Sequence, residues 1–212
     1  MNFSEDMLTL YAVTDRAWTG RLTLYEQVEQ ALQGGVTMVQ LREKNLSEAE
    51  IIEQAKELSE LCRRYSVPLI INDNADIAMK VGADGVHLGI EDAPVSEIRK
   101  KAGKDFIIGA TAKTIEQAKA AEAAGADYLG VGAVFPSPTK PNAIRITAEQ
   151  LKAICSSVSI PAVAIGGIGL QNMEELKGGG MKGIAVVSAI FGAENIKAAA
   201  EKLKEKAQEL CR

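Results

Sequence analysis

Two acids each follow an apolar run of strand length: Asp73 in "VPLIINDNADIA" and Asp92 in "DGVHLGIED". Carboxylate oxygens from one or two such residues, together with the phosphate oxygens of a substrate, are a common way of holding Mg²⁺. Upstream, "VQLREK" sets Gln40, Arg42 and Lys44 on one side of an extended chain and Val39, Leu41 and Glu43 on the other, by the two-residue period of a strand. If Leu41 faces a helix layer, Gln40 and Arg42 face the opposite side. The fork of an Arg and the point charge of a Lys suit phosphate. Plainer readings stand beside these. Arg42 and Lys44 also fit an exposed charged turn, and Asp73 and Asp76 fit a helix start, as cap and dipole partners. For Asp76 the helix start is the reading kept.

The rest of the chain offers further polar groups after apolar runs. His87 lies between Val86 and Leu88 and reads as core or pocket wall rather than as a catalytic base. "GATAKT" offers the Thr111 hydroxyl and the Lys113 charge. "GAVFPSPTKPNAIR" is the longest loop and carries Ser137, Thr139, Lys140 and Arg145; it reads as a lid or as a merely irregular connection. "AIGGIG" and "AVVSA" place Gly166, Gly167 and Ser188 where backbone N–H groups could approach a phosphate, or where glycines simply make a tight turn.

These groups need elements to hold them. Apolar runs ("LTLYAVT", "VTMVQLR", "VPLIIN", "DGVHLG", "DFIIGAT", "DYLGVG", "IPAVAIG", "KGIAVVS") alternate with helix-period segments such as "SEAEIIEQAKELSELCRRY" and "TIEQAKAAEAAG". Near-continuous Val/Ile/Leu runs joined by amphipathic helices predict a parallel sheet covered on both faces. Eight such pairs predict an α/β fold, a (β/α)₈ TIM barrel, forming a single domain over residues 1–212. An open doubly wound sheet is the competitor, weakened because no glycine-rich dinucleotide fingerprint follows the first strand. In a barrel, the functional groups belong at the carboxyl ends of the strands. "GADGVHLG", "GADYLGVG" and "GMKGIAVVS" repeat one helix–turn–strand step, as αβ joints do generally.

Composition narrows the classes. A net charge of −4 argues against binding nucleic acid by neutralising its backbone, although a local Lys/Arg cluster can still hold a small anion. The three cysteines, Cys62, Cys155 and Cys211, have no CxxC spacing, which fits reduced thiols in a cytoplasmic protein. A single histidine, His87, excludes a His-rich metal centre. No apolar run approaches membrane-spanning length, and the start has no secretory pattern. The expected partners are small phosphorylated molecules, with no nucleic acid and no membrane; a homo-oligomer is left open.

Two anion-binding regions therefore emerge: one suited to Mg²⁺ after strands 2 to 4, and a metal-free one after strands 7 and 8. No histidine with an evident carboxylate orienter and no catalytic acid pair is apparent, which fits chemistry such as departure of pyrophosphate from an activated carbon.

At these residues the sequence resembles the thiamine-phosphate synthase family, through "LYAVTD", "QLREK", "NDNADIAMKVGADGVHLG" followed by Asp92, "GADYLGVGAVFPSPTK", "VAIGGI" and "VVSAI", in order over nearly the whole chain. The resemblance implies a (β/α)₈ transferase that joins 4-amino-2-methyl-5-hydroxymethylpyrimidine pyrophosphate to a thiazole phosphate, or its carboxylate, releasing pyrophosphate. It implies pyrimidine-pyrophosphate contacts at Gln40, Leu41, Arg42, Glu43, Lys44, Asn72, Thr111 and Lys140. It implies Mg²⁺ at Asp73 and Asp92, and thiazole phosphate contacts at Ser137, Pro138, Thr139, Gly167, Val187 and Ser188. On the family mechanism a pyrimidine carbocation forms, and Mg²⁺, Arg42, Lys44 and Lys140 stabilise the departing pyrophosphate. Three positions depart from the family pattern: Thr111 where serine is usual, Lys113 where histidine is common, and the Pro138 and Pro141 framing of the lid. The rival readings are a thiazole tautomerase of the same superfamily, which needs no pyrophosphate-binding metal, and a non-catalytic phosphate-binding barrel. Retention of Asp73, Asp92 and Lys140 speaks against the tautomerase.

Overall fold

The computed structural model describes residues 3–20, 22–137 and 144–211. Eight parallel strands close into a barrel in chain order: β1 (Leu10–Val13), β2 (Met38–Leu41), β3 (Leu69–Asn72), β4 (Gly85–Leu88), β5 (Ile107–Ala112), β6 (Tyr128–Gly132), β7 (Ala162–Ile165) and β8 (Gly183–Val186). Closure is direct, since β1 pairs with β8 as well as with β2. The closed barrel settles the choice against an open sheet.

The two-residue period sorts each strand between two cores. Leu10, Ala12, Val39, Leu41, Leu69 and Ile71 pack outward against the helices. Tyr11, Val13, Met38, Ile70, Ile107, Tyr128, Val163 and Ala185 fill the barrel interior, as the packed layers of this architecture require. A short 3-10 helix, Glu5–Leu8, closes the amino end of the barrel: Leu8 joins the interior core, and Phe3 stacks on Tyr128 with ring centroids 5.8 Å apart.

Helices follow the strands: α1 (Leu24–Gln33), α2 (Glu48–Arg64), α3 (Ala75–Val81), α4 (Val95–Ala102), α5 (Ile115–Ala123) and α6 (Ala148–Cys155), then α7 (Ser188–Phe191) and α8 (Ile196–Leu210) after β8. The starts of α1, α2 and α6 carry capping boxes built on Thr23–Glu26, Ser47–Glu50 and Thr147–Gln150, each satisfying two otherwise unpaired backbone donors. The regular alternation breaks once. After β7 the chain forms only a 3-10 turn, Met173–Leu176, before Gly178 and Gly180 take left-handed conformations. The expected seventh βα pair is thus reduced there, because a glycine run cannot sustain a helix. Among the described residues no helix is long and apolar enough to cross a membrane.

Candidate active site

The carboxyl ends of the strands surround one cavity of about 170 Å³. Gln40, Arg42, Asn72, Asp73 and Thr111 line one side, and Ser137, Gly166, Gly167, Val187 and Ser188 the other; His87 and Lys113 also belong to its wall. The alternation read from "VQLREK" is realised: Leu41 is buried against the helix layer, while Gln40 and Arg42 face the cavity. The side chains of Leu41 and Glu43 do not reach it, so any contact they make with a ligand must come through the backbone. The Glu43 carboxylate instead turns to Arg16, whose Nε and Nη2 both donate to it at 3.2 Å.

Arg42 is held from the segment that follows β1. Its backbone N–H donates to Thr14 Oγ1 at 3.0 Å, and its guanidinium lies 3.3 Å from an Asp15 oxygen. Its Nε is buried with no hydrogen-bond partner among the described residues. Such a buried, incompletely satisfied donor is costly unless a ligand completes it.

The ambiguity at Asp73 resolves in the loop before α3. Asn74 is the cap: its side chain accepts from the Ile77 N–H at 2.9 Å. Asp73 is therefore not used as a cap, and Asp76 lies within the first turn rather than at its head, where its charge still favours the helix dipole. Asp73 sits in a left-handed conformation with φ of 63°, an uncommon state for a residue other than glycine. The Asp73 N–H donates to the His87 carbonyl at 2.8 Å, which ties the loop to β4, and its carboxylate forms an ion pair with Lys44.

Asp92 comes from the loop after β4, and one of its oxygens accepts from the Gly89 N–H at 2.6 Å. Burial, and then the facing carboxyl of Asp73, raise its pKa above the ordinary carboxylate range, while the Gly89 N–H and Lys44 act the other way. Two carboxyls brought together at such cost form a hard-oxygen pair of the kind that suits a divalent cation such as Mg²⁺. Among the described residues no cluster of three or more His, Cys, Asp or Glu is present.

Across the cavity, Gly166 and Gly167 have φ of 105° and 63°. A Cβ on Gly167 would lie 2.1 Å from the Pro136 carbonyl oxygen, and one on Gly166 would lie 2.5 Å from Ala133 Cβ. These glycines therefore serve both the turn and the close approach of the loop after β6, where the Phe135 N–H donates to the Gly166 carbonyl at 3.0 Å. Ser188 opens α7 beside them, at the place where barrels of this kind commonly hold a phosphate. Pro138, Thr139 and Lys140 lie outside the described residues. Arg145 is exposed, and Lys113 is on the cavity wall.

A family model described as thiamine monophosphate synthase matches residues 10–190. The chain belongs to the thiamine monophosphate synthase family. Similar members include the thiamine-phosphate synthases of Clostridium tetani, 49% identical over 92% of this chain and 93% of that protein, and of Ruminiclostridium cellulolyticum, 50% identical over 93% and 94% respectively. A solved thiamine phosphate pyrophosphorylase from Pyrococcus furiosus superposes with a TM-score of 0.90 at 42% identity, covering 98% of this chain and 99% of that one. The family match spans every strand of the barrel.

Sequence reasoning missed several residues. Tyr11 and Val13 line the cavity from β1, and Ile165 lines it from β7; their inward positions follow from the alternation in "LYAV" and "AVAI". Thr14 and Asp15 were missed because their role depends on the pairing of β1 with β2, which no local pattern specifies.

Proposed function

We propose that the barrel condenses the pyrophosphate ester of a hydroxymethylpyrimidine with a thiazole phosphate, forming thiamine phosphate and releasing pyrophosphate, with Mg²⁺ as its metal. The observation that carries this reading is the single cavity with two unlike walls: Arg42, Asn72, Asp73 and Thr111 on one, Gly167 and Ser188 on the other. It matches what two phosphorylated substrates need to meet without sharing an anion site.

On this reading the pyrophosphate lies over the Arg42 guanidinium, with Lys44, Asn72, the Thr111 hydroxyl and Lys140 as further partners. Arg42 contributes its unpaired Nε and remaining fork donors. Asp73 and Asp92 hold the metal, which when bound neutralises charge on the leaving pyrophosphate. The C–O bond from the pyrimidine methylene to pyrophosphate breaks, both electrons leaving with the oxygen. The thiazole nitrogen then donates its lone pair to that methylene carbon. No proton leaves the nitrogen, which fits the scarcity of general bases in the cavity. Fixed donors facing the departing oxygens provide the electrostatic part of catalysis. Ser137, Pro138, Thr139, Gly167, Val187 and Ser188 are assigned to the thiazole phosphate. The convergence of Asp73 with Asp92 favours this synthase over a tautomerase, which has no pyrophosphate to neutralise. A cytoplasmic setting accords with three free cysteines.

The test is to mix the purified protein with both substrates and Mg²⁺ and follow pyrophosphate and thiamine phosphate. Both products are expected in equal amounts, and only when both substrates and the metal are present. Failure to form either under those conditions overturns the reading.

A further inference from the structure

A line of buried polar groups crosses the barrel interior and ends at the cavity. The Gln40 amide nitrogen donates to the Tyr11 hydroxyl at 2.7 Å. The Tyr11 and Tyr128 hydroxyls are 2.9 Å apart, Tyr128 Oη lies 3.1 Å from His87 Nδ1, and His87 Nε2 lies 3.1 Å from Thr111 Oγ1. Both tyrosines are fully buried, so each hydroxyl proton must be used within this line. Room for it is made by two glycines. A Cβ on Gly109 would lie 2.4 Å from Tyr128 Oη and 2.5 Å from His87 Nδ1, and one on Gly130 would lie 2.8 Å from His87 Cε1.

The direction of the line follows from its first member. An amide NH₂ only donates, so the Tyr11 oxygen accepts from Gln40 and its own proton goes to Tyr128. The Tyr128 proton then goes to His87 Nδ1. A neutral imidazole that accepts at Nδ1 carries its proton at Nε2, which places that proton on Thr111 Oγ1. With its oxygen engaged as an acceptor, Thr111 keeps its own proton to donate into the cavity.

We infer that Gln40, acting through Tyr11 and Tyr128, fixes the Nε2–H tautomer of His87 and thereby turns the Thr111 hydroxyl into a donor toward the bound anion. Gln40 and Tyr128 are in this respect positioning residues for Thr111. The identity of that anion as pyrophosphate rests on the proposed function; the tautomer does not.

Because His87 is the only histidine, its imidazole can be read without assignment. In protein labelled with ¹⁵N-histidine, at mildly alkaline pH where an imidazole is neutral, two-bond ¹H–¹⁵N correlations should show the Nε2–H pattern. Any other pattern overturns the inference. Gln40→Met keeps the side-chain volume while removing the donor, and Tyr128→Phe breaks the line at its centre. Each should move the pattern toward the mixture of tautomers that an unconstrained imidazole shows, and a wild-type pattern in Gln40→Met would overturn the control assigned to Gln40. Tyr128 does not line the cavity, so its effect on a ligand must pass through His87. With Mg²⁺ and inorganic pyrophosphate as the probe, Tyr128→Phe and Thr111→Val should each weaken binding about tenfold, the scale of one charge-assisted hydrogen bond. The double variant should weaken it no further than either alone; additive losses would overturn the link to Thr111. If the tautomer pattern holds but the wild type binds no pyrophosphate, the proposed function has failed and the fixed tautomer stands.

Discussion

The guanidinium of Arg42 and the carboxylate of Asp15 meet at 3.3 Å, both largely buried at the joint between β1 and β2. The second Asp15 oxygen accepts from the Ala17 N–H at 2.9 Å, so the carboxylate is itself held in place. Thr14 takes the Arg42 N–H and Arg16 takes Glu43. Three consecutive residues of one strand end thus hold two consecutive residues of the next. Asp15→Ala should let the Arg42 fork wander. The expected result is a rise of about tenfold in KM for the pyrimidine pyrophosphate, the scale of one charge-assisted hydrogen bond, with KM for the thiazole phosphate unchanged. Asp15→Asn keeps an acceptor and should recover much of the loss. Equal effects on both substrates would show that Asp15 acts through general stability instead.

Asp92 should separate the two sides of the cavity. It reaches Asp73 but stands away from Gly167 and Ser188, which line the opposite wall. Asp92→Ala is expected to abolish turnover with Mg²⁺ present while leaving thiazole phosphate affinity, measured by calorimetry, as in the wild type. Comparable loss of thiazole phosphate binding would contradict the division into two anion sites.

Much of this was legible in the sequence because it follows from short periods. The inward and outward faces of "VQLREK" needed only the strand repeat, and the barrel needed only the alternation of apolar runs with amphipathic segments. What local pattern left open was settled by contacts between distant segments. Asp73 or Asp76 could have capped α3, and it is Asn74 that does so. Leu41 and Glu43 belong to a motif in which Gln40 and Arg42 face the cavity, yet their side chains turn to the helix layer and to Arg16. The line from Gln40 to Thr111 joins five strands, and no single window of sequence contains more than one of its members. The loop residues Pro138, Thr139 and Lys140 lie outside the described residues.

Gly109 should be intolerant of even the smallest side chain. A Cβ there would lie 2.2 Å from Tyr128 Cζ, in a fully buried layer with no space to yield. Gly109→Ala is expected to cost about 1–3 kcal/mol, the range for overpacking a core, read as a lower urea midpoint with an unchanged m-value. Gly20→Ala is the control, since a Cβ at that position meets nothing within 4 Å. If the two variants are equally stable, the interior is looser than these distances imply.

Stability should fall on the alkaline side because of buried acids that stay protonated only in the fold. Burial pushes the Cys62 thiol from 9.0 up to about 12, helped by the nearby Asp84 charge, and burial pushes Cys155 and Cys211 up to about 11. The Tyr11 and Tyr128 hydroxyls are also raised, chiefly by burial. Below the unfolded thiol pKa both states hold their protons, and the contribution is fully present. Above it only the unfolded chain releases them, so the fold loses stability as pH rises from about 9 toward 11 or 12, with the tyrosines joining above their ordinary value of 10.0. For Cys62 alone the slope in that window is about 1.4 kcal/mol per pH unit; Cys155 and Cys211, only partly buried, contribute less because water screens them. Urea midpoints measured from pH 8 upward should stay level and then decline through this window. Cys62 in the native protein should resist iodoacetamide at pH 8 yet react once urea has unfolded the chain. A level midpoint across the window, or ready native alkylation of Cys62, would mean that α2 does not hold this thiol in the buried state that the structure describes.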